Sequence, residues 1–166
     1  LGSAASVISD ISGDPVITGN RVYIGNFGGR TAAFDLQDGT RLWTATDGSV
    51  SPVWAVGNAV FLINDINELV RLDASFGAPV WRTALPVLEE GANPRRERRI
   101  FAHYGPVLAG GRLIVTSSDG LIRQFDPASG ALVGQLALPG GAASGPVVAG
   151  QTLYVLSKDG QLHAFR

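Results

Sequence analysis

The sequence predicts an all-β fold: a β-propeller of four-stranded antiparallel blades, about four of them present and the last lacking its fourth strand. Three observations predict it. A module recurs along most of the 166 residues, and self-similarity at a period of about 40 residues marks propellers and solenoids. Inside each copy, short apolar runs alternate with Gly, Asp and Pro turn signals, the pattern of an antiparallel meander. The landmarks also keep register: Pro15 stands 20 positions before Asp35, Pro52 21 before Asp73, Pro106 20 before Asp126 and Pro146 20 before Arg166.

Residues 1–13, small and polar without turn-strand rhythm, read as a linker, and residues 14–166 as the partial propeller. Copy one runs PVITG, RVYIGN, a turn at Gly28-Gly29, a strand around Ala32 to Phe34, then Asp35 to Gly39 and a fourth strand ending at Trp43. Copy two runs PVWAVG, AVFLIN, a turn over Asp65 to Asn67, LVRL, Asp73 to Gly77 and a strand ending at Trp81. Copy three, GPVLAGGRLIVTSSDGLIRQFDPASGALVGQLAL from Gly105 to Leu138, is the cleanest. Copy four begins at Pro146 and stops at Arg166 after its third strand. An unpaired edge there invites pairing, so the rest of the ring is expected to be absent from this chain or supplied by a second copy.

Each recurring residue has a structural job. Asp35, Asp73 and Asp126 are placed to accept hydrogen bonds from their own turns, and Gly39, Gly77 and Gly130, four positions on, supply a positive φ. Trp43 and Trp81 fall on the fourth strand. A large ring there can bury its body between neighbouring sheets while the indole N–H finds a backbone acceptor. Gly134 takes that place in copy three, whose seam should pack more loosely.

One interruption breaks the rhythm. Pro52 to Pro106 spans 54 positions against 37 and 40 for the other intervals, and the excess is residues 87–104, VLEEGANPRRERRIFAHY. With Arg95, Arg96, Arg98 and Arg99 set among Glu89, Glu90 and Glu97, it reads as a solvated loop; the alternative is a docking surface for an acidic partner or a lipid headgroup. Ile100 to Tyr104 is apolar enough to anchor it. His103 has no second His, Cys or paired carboxylate at ligand spacing, so it reads as a packed or surface residue rather than a metal ligand.

Composition narrows the function classes. With 45% apolar and 16% charged residues the chain buries a core, and a net charge of −1 gives no general attraction to nucleic acid. Without Cys there is neither a disulfide framework nor a thiolate metal site. No apolar run approaches the roughly 18 residues of a membrane helix. Residue 1 is Leu with no leader behind it, so a targeting segment was removed or the chain is a piece of a longer one. The sequence shows no Ser/His/Asp arrangement, no phosphate-cradling loop and no paired carboxylates, so no catalytic, cofactor-binding or metal residue is expected.

The module PVxxGxxhYVxSxDGxhxAFDxxxGxxxW, where h is apolar, resembles the repeat of the pyrroloquinoline-quinone-enzyme-like propellers, over nearly all of residues 14–166. Within that group SDISGDPVITGNRVYIGNFGGRTAAFDLQDGTRLW, NELVRLD, FAHYGPVLAGGRLIVTSSDG and the final LSKDGQLHAFR are similar to the C-terminal half of the BamB family, lipoprotein subunits of the β-barrel assembly machinery. The resemblance implies an eight-bladed ring, about half of it here, tethered by an N-terminal lipid to the periplasmic face of a Gram-negative outer membrane. It implies a non-enzymatic scaffold that binds the barrel-forming BamA subunit and assists delivery of unfolded outer-membrane proteins. Family members carry an acidic S-D-x-D loop implicated in docking to that subunit. Ser9 and Asp10 match it and Ser12 replaces the second acid; alternatively Asp10 orders its own turn.

Two rival readings share the repeat. A fragment of a quinoprotein dehydrogenase needs an axial cofactor pocket, a carboxylate base with a Ca²⁺ site, and in many members an adjacent Cys pair. This chain has no Cys, and its recurring aspartates belong to architecture. A ligand-sensing propeller attached to a signalling module would continue past Arg166 or carry a membrane helix upstream.

Overall fold

A computed structural model describes residues 13–49, 51–88 and 100–166, and among them there is no helix. The strands form four sheets, each a meander in chain order. The first joins β1 (Val16–Thr18), β2 (Arg21–Asn26), β3 (Arg30–Asp35) and β4 (Arg41–Ala45). The second joins β5 (Trp54–Val56), β6 (Ala59–Ile63), β7 (Glu68–Asp73) and β8 (Pro79–Ala84). The third joins β9 (His103–Ala109), β10 (Arg112–Ser117), β11 (Leu121–Phe125) and β12 (Leu132–Ala137). The fourth has three strands, β13 (Val147–Ala149), β14 (Thr152–Leu156) and β15 (Leu162–Phe165).

Equal spacing in the sequence becomes equal register in space. The residue before each recurring position pairs with the same rung of the second strand: Phe34 with Val22, Leu72 with Val60, Phe125 with Leu113 and Phe165 with Leu153. A one-residue slip would turn every core side chain to the other face. The pleat shows in β2, where Tyr23 and Gly25 are buried between partly exposed neighbours. All five residues of β6 are buried, as in a sheet covered on both faces. The fourth strands are the wettest, with Leu42, Val80, Leu132, Val133 and Leu136 exposed.

The chain divides into two compact units, residues 1–83 and 84–166. In the first, the two sheets share a core of Tyr23, Ala33, Trp43, Val60, Leu62, Val70 and Leu72. In the second, Ile114, Ile122, Leu138, Leu153 and Val155 form the core, with Tyr104 and Phe165 packed against it. Strand β9 begins at His103, so the last two residues of the charged interruption belong to a blade. Gly13, assigned to the linker by sequence, donates its N–H to the Gly25 carbonyl at 3.4 Å.

Candidate partner-binding site

At one end of each sheet lie the turns after the first and third strands. There Asp35 accepts from the Gln37 N–H at 2.8 Å, Asp73 from Ser75 at 2.8 Å and Asp126 from Ser129 at 2.7 Å. The Gly39, Gly77 and Gly130 amides return to the carbonyls of the same aspartates at 3.0, 2.8 and 2.8 Å. In the second and third sheets these contacts favour the carboxylate. The Ser75 N–H foremost holds Asp73 below the usual aspartate range, and the Ser129 hydroxyl and N–H do the same for Asp126. Each recurring acid is thus occupied by its own turn.

A second layer was not read from the sequence. The Asn20 amide donates to Asp35 and the Asn58 amide to Asp73, both at 2.7 Å, bracing the two turns of each sheet together. The signal was present, an Asn 15 positions before the Asp in copies one and two, with Gly111 in copy three.

The tryptophans sit on the fourth strands as expected, but not alike. Trp43 is 7% exposed, donates its indole N–H to the Ala74 carbonyl at 2.8 Å and lies with its ring centroid 5.9 Å from that of Tyr23. Arg21 donates to the same carbonyl. Gly77 presses on the ring so closely that a Cβ there would stand 2.5 Å from it. Trp81 is partly exposed and repeats the aromatic pair, 6.0 Å from Phe61. In copy three, Gly134 pairs with Gln124 on the rung where Trp43 pairs with Ala33. Bulk has crossed to the neighbouring strand, and Arg112 holds the Gln124 amide oxygen at 2.5 Å.

The opposite end carries the turns after the second strands and the links between sheets. In the link after β4, buried Asp47 takes a two-point contact from Arg82, at 2.8 and 3.2 Å, with Glu68 3.8 Å from the same guanidinium. The hydrogen bond to Asp47 raises the Arg82 pKa. At the base of the charged interruption, Phe101 N–H reaches the Val87 carbonyl at 2.8 Å, and Leu88 bridges Ile100. His103 closes this neck. Its Nε2 donates to the Pro86 carbonyl at 2.7 Å, which leaves Nδ1 to accept from Ser117 Oγ at 2.6 Å. Ser117 in turn accepts from Arg123, which pairs with Asp119 at 2.5 Å. Burial lowers the His103 pKa, consistent with a packed imidazole.

One grouping of Ser, His and Asp was not singled out from the sequence. Ser157, Asp159 and His163 meet in the fourth sheet, His163 Nε2 lying 3.1 Å from Ser157 Oγ. The hydroxyl, however, donates to the Asp159 carboxylate. A nucleophilic triad needs imidazole between acid and hydroxyl, and here the hydroxyl stands in the middle. Among the described residues no group of three or more His, Cys, Asp or Glu is placed to hold a metal ion. Asp10, Ser12, Arg95, Arg96, Arg98 and Arg99 lie outside the described residues.

Comparison with known proteins agrees with this architecture. The family model for outer membrane protein assembly factor BamB matches residues 1–83 and again 77–166. Outer membrane protein assembly factor BamB of Escherichia coli (strain K12) is 27% identical over 128 residues, 77% of this chain and 30% of that protein. Its counterpart in Shewanella oneidensis is 23% identical over 135 residues, 81% of this chain and 31% of that protein. This chain therefore spans less than a third of the length of these curated relatives. The crystal structure of BamB from Moraxella catarrhalis matches with a TM-score of 0.73 at 26% identity, covering 93% of this chain and 49% of that one. The fold is a partial β-propeller whose last blade has three strands. On repeat, register and comparison together, the chain belongs to the family of the outer membrane protein assembly factor BamB.

Proposed function

We propose that this chain is part of a non-enzymatic scaffold of the outer-membrane protein assembly machinery. The whole protein binds a BamA-like barrel-forming subunit at the periplasmic face of the outer membrane and assists delivery of unfolded outer-membrane proteins. It meets the membrane only through an N-terminal lipid anchor. The observation that carries this reading is the family match across the full chain, residues 1–83 and 77–166. The geometry supports it: Asp35, Asp73 and Asp126 are each engaged by their own turns, so the acids that recur are architecture rather than a catalytic base. Docking is assigned to what breaks the repeat, Asp10 and Ser12 before the first sheet and Arg95, Arg96, Arg98 and Arg99 in the interruption.

The test is co-purification. Tagged full-length protein drawn from a Gram-negative outer-membrane extract should bring the barrel-forming subunit with it, and Asp10→Arg should reduce the yield. Replacing the four arginines with Ser asks the same of the interruption. Recovery of no barrel-forming subunit by the unaltered protein would overturn the reading.

A further inference from the structure

We propose that His103 is a proton-operated clasp: neutral, it ties the limb Pro86 to Leu88 to the third sheet, and on taking up a proton it releases that limb while the sheet stays folded. The ring is 5% exposed and lies at the start of β9, on the rung it shares with Ser117 of β10. Its two nitrogens are committed in a way that only the neutral form satisfies. The Pro86 carbonyl at 2.7 Å has no hydrogen to give, so Nε2 carries the proton, and Nδ1 keeps a lone pair for the Ser117 hydroxyl at 2.6 Å. That hydroxyl is itself buried and accepts from Arg123 at 2.9 Å.

A second proton, on Nδ1, turns the hydroxyl away. The Ser117 hydrogen then loses its acceptor inside the fold, and one oxygen faces two cations, imidazolium and guanidinium. An unpaired buried donor and an uncompensated buried charge are both costly. Asp119, the carboxylate that acts on the ring, already pairs with Arg123 at 2.5 Å. Burial first, and Arg123 after it, disfavour the imidazolium, while the Pro86 carbonyl and Asp119 favour it; the balance lies below the ordinary value of 6.5.

The side that gives way is the limb leading into the charged interruption. The return limb runs straight into β9, which pairs with β10 from His103 to Ala109. It is fastened again where the Ser118 N–H meets the Ala102 carbonyl and the Ala102 N–H meets the Ser118 hydroxyl, both at 2.9 Å. Against this, Pro86 to Leu88 are tied by the imidazole, by the Phe101 N–H on the Val87 carbonyl at 2.8 Å and by the bridge from Leu88 to Ile100. Segments held by few bonds open locally at far less cost than the whole fold. Leu85, 4% exposed, anchors the chain just before the limb, so release stops there. The two limbs flank residues 89–99, and acid therefore sets how firmly the base of that insertion is held.

The proposal goes beyond the assembly role and is tested on the isolated whole protein, so it stands or falls whether or not a barrel-forming subunit is recovered. The experiment is amide hydrogen exchange by NMR from pH 7.5 to 5 (about 6.5 being the ordinary imidazole value), each rate divided by the intrinsic rate at the same pH. Protection of the Phe101 amide should fall once the pH drops below 6.5, by up to about tenfold per pH unit, the slope of a single proton. The Ser118 and Ala142 amides, bonded to the Ala102 and Ser117 carbonyls, report on the end of the third sheet and should stay level. His103→Gln, which cannot take up a proton, should flatten the Phe101 profile. Arg123→Gln removes the second cation while keeping a donor for Ser117, and should make the fall shallower. A flat Phe101 profile in the unaltered protein, a fall shared equally by Ser118 and Ala142, or an unchanged fall in either variant would overturn the proposal.

Discussion

Gly39 and Gly77 occupy the same turn position in consecutive sheets, with φ of 72° and 70°, yet a methyl group added to each should have very different consequences. At Gly39 nothing lies within 4 Å of the added Cβ. Gly39→Ala then carries only the cost of a left-handed conformation for an L-residue, about 1–2 kcal/mol. At Gly77 the Cβ would stand 2.5 Å from Cε3 and 2.7 Å from Cδ2 of Trp43. The ring cannot retreat freely, because its N–H is tied to the Ala74 carbonyl and its centroid lies 5.9 Å from that of Tyr23. Forced overpacking of this kind costs about 1–3 kcal/mol, so Gly77→Ala should lose roughly 2–5 kcal/mol in all. The assay is urea unfolding followed by far-ultraviolet circular dichroism, repeated in a Trp43→Leu background where the obstacle is gone. There the Gly77→Ala penalty should shrink to that of Gly39→Ala. Equal losses at the two glycines in the parent protein, within about 0.5 kcal/mol, would refute the idea that this turn is a seat for the ring.

Three further outcomes follow from the same contacts. Trp43→Phe should cost about 1 kcal/mol, since Arg21 still satisfies the Ala74 carbonyl, whereas Trp43→Ala should cost about 3–5 kcal/mol by emptying the seat; thermal unfolding ranks the two. His103 titrates below 6.5 when folded because burial disfavours its cation, so the unfolded chain takes up the proton first. Stability is therefore fully present above pH 6.5 and falls as the pH drops through that value toward the folded pKa. His103→Gln should flatten this limb in unfolding midpoints measured from pH 7.5 to 5 (about 6.5 being the ordinary value), leaving the lower one, where Asp73 and Asp126 lose their turn contacts below pH 3.8. Asp47→Asn, which removes the charge opposite half-open Arg82, should cost about 1–2 kcal/mol, reduced by salt; urea midpoints at low and high ionic strength check it.

Much of this architecture was legible because a repeat multiplies weak signals. One Asp-x-x-x-Gly is an ordinary turn, but three of them 20 or 21 positions after a Pro, with the same run of strands between, identify rung partners from sequence alone. Contacts that join different sheets were not legible. No spacing rule places Gly77 beneath Trp43, Arg82 against Asp47 or His103 against Pro86, since each depends on how one sheet or link lies over another. The exchange of Trp43 over Ala33 for Gly134 over Gln124 shows the same limit. Sequence exposed the missing tryptophan, while the compensating glutamine is visible only when the two positions are known to be cross-strand partners. Asp10 and the four arginines remain assigned by resemblance and by charge pattern.

The braced ends have an evolutionary corollary. Where Asn20 holds Asp35 and Asn58 holds Asp73, a residue gained or lost would shift a turn against its neighbour and unhook both. The links after the first and third sheets are held by backbone instead, the Ser49 N–H on the Asn26 carbonyl at 3.1 Å and the Ala142 N–H on the Ser117 carbonyl at 2.9 Å, with a different length of chain before each. Extra chain can enter there and be pinched off at its base, as Pro86 to Leu88 and Ile100 to His103 do. Lineages of this fold should therefore diversify by length at one rim and by substitution alone at the other, which makes the rim with the links the place where new partners are acquired.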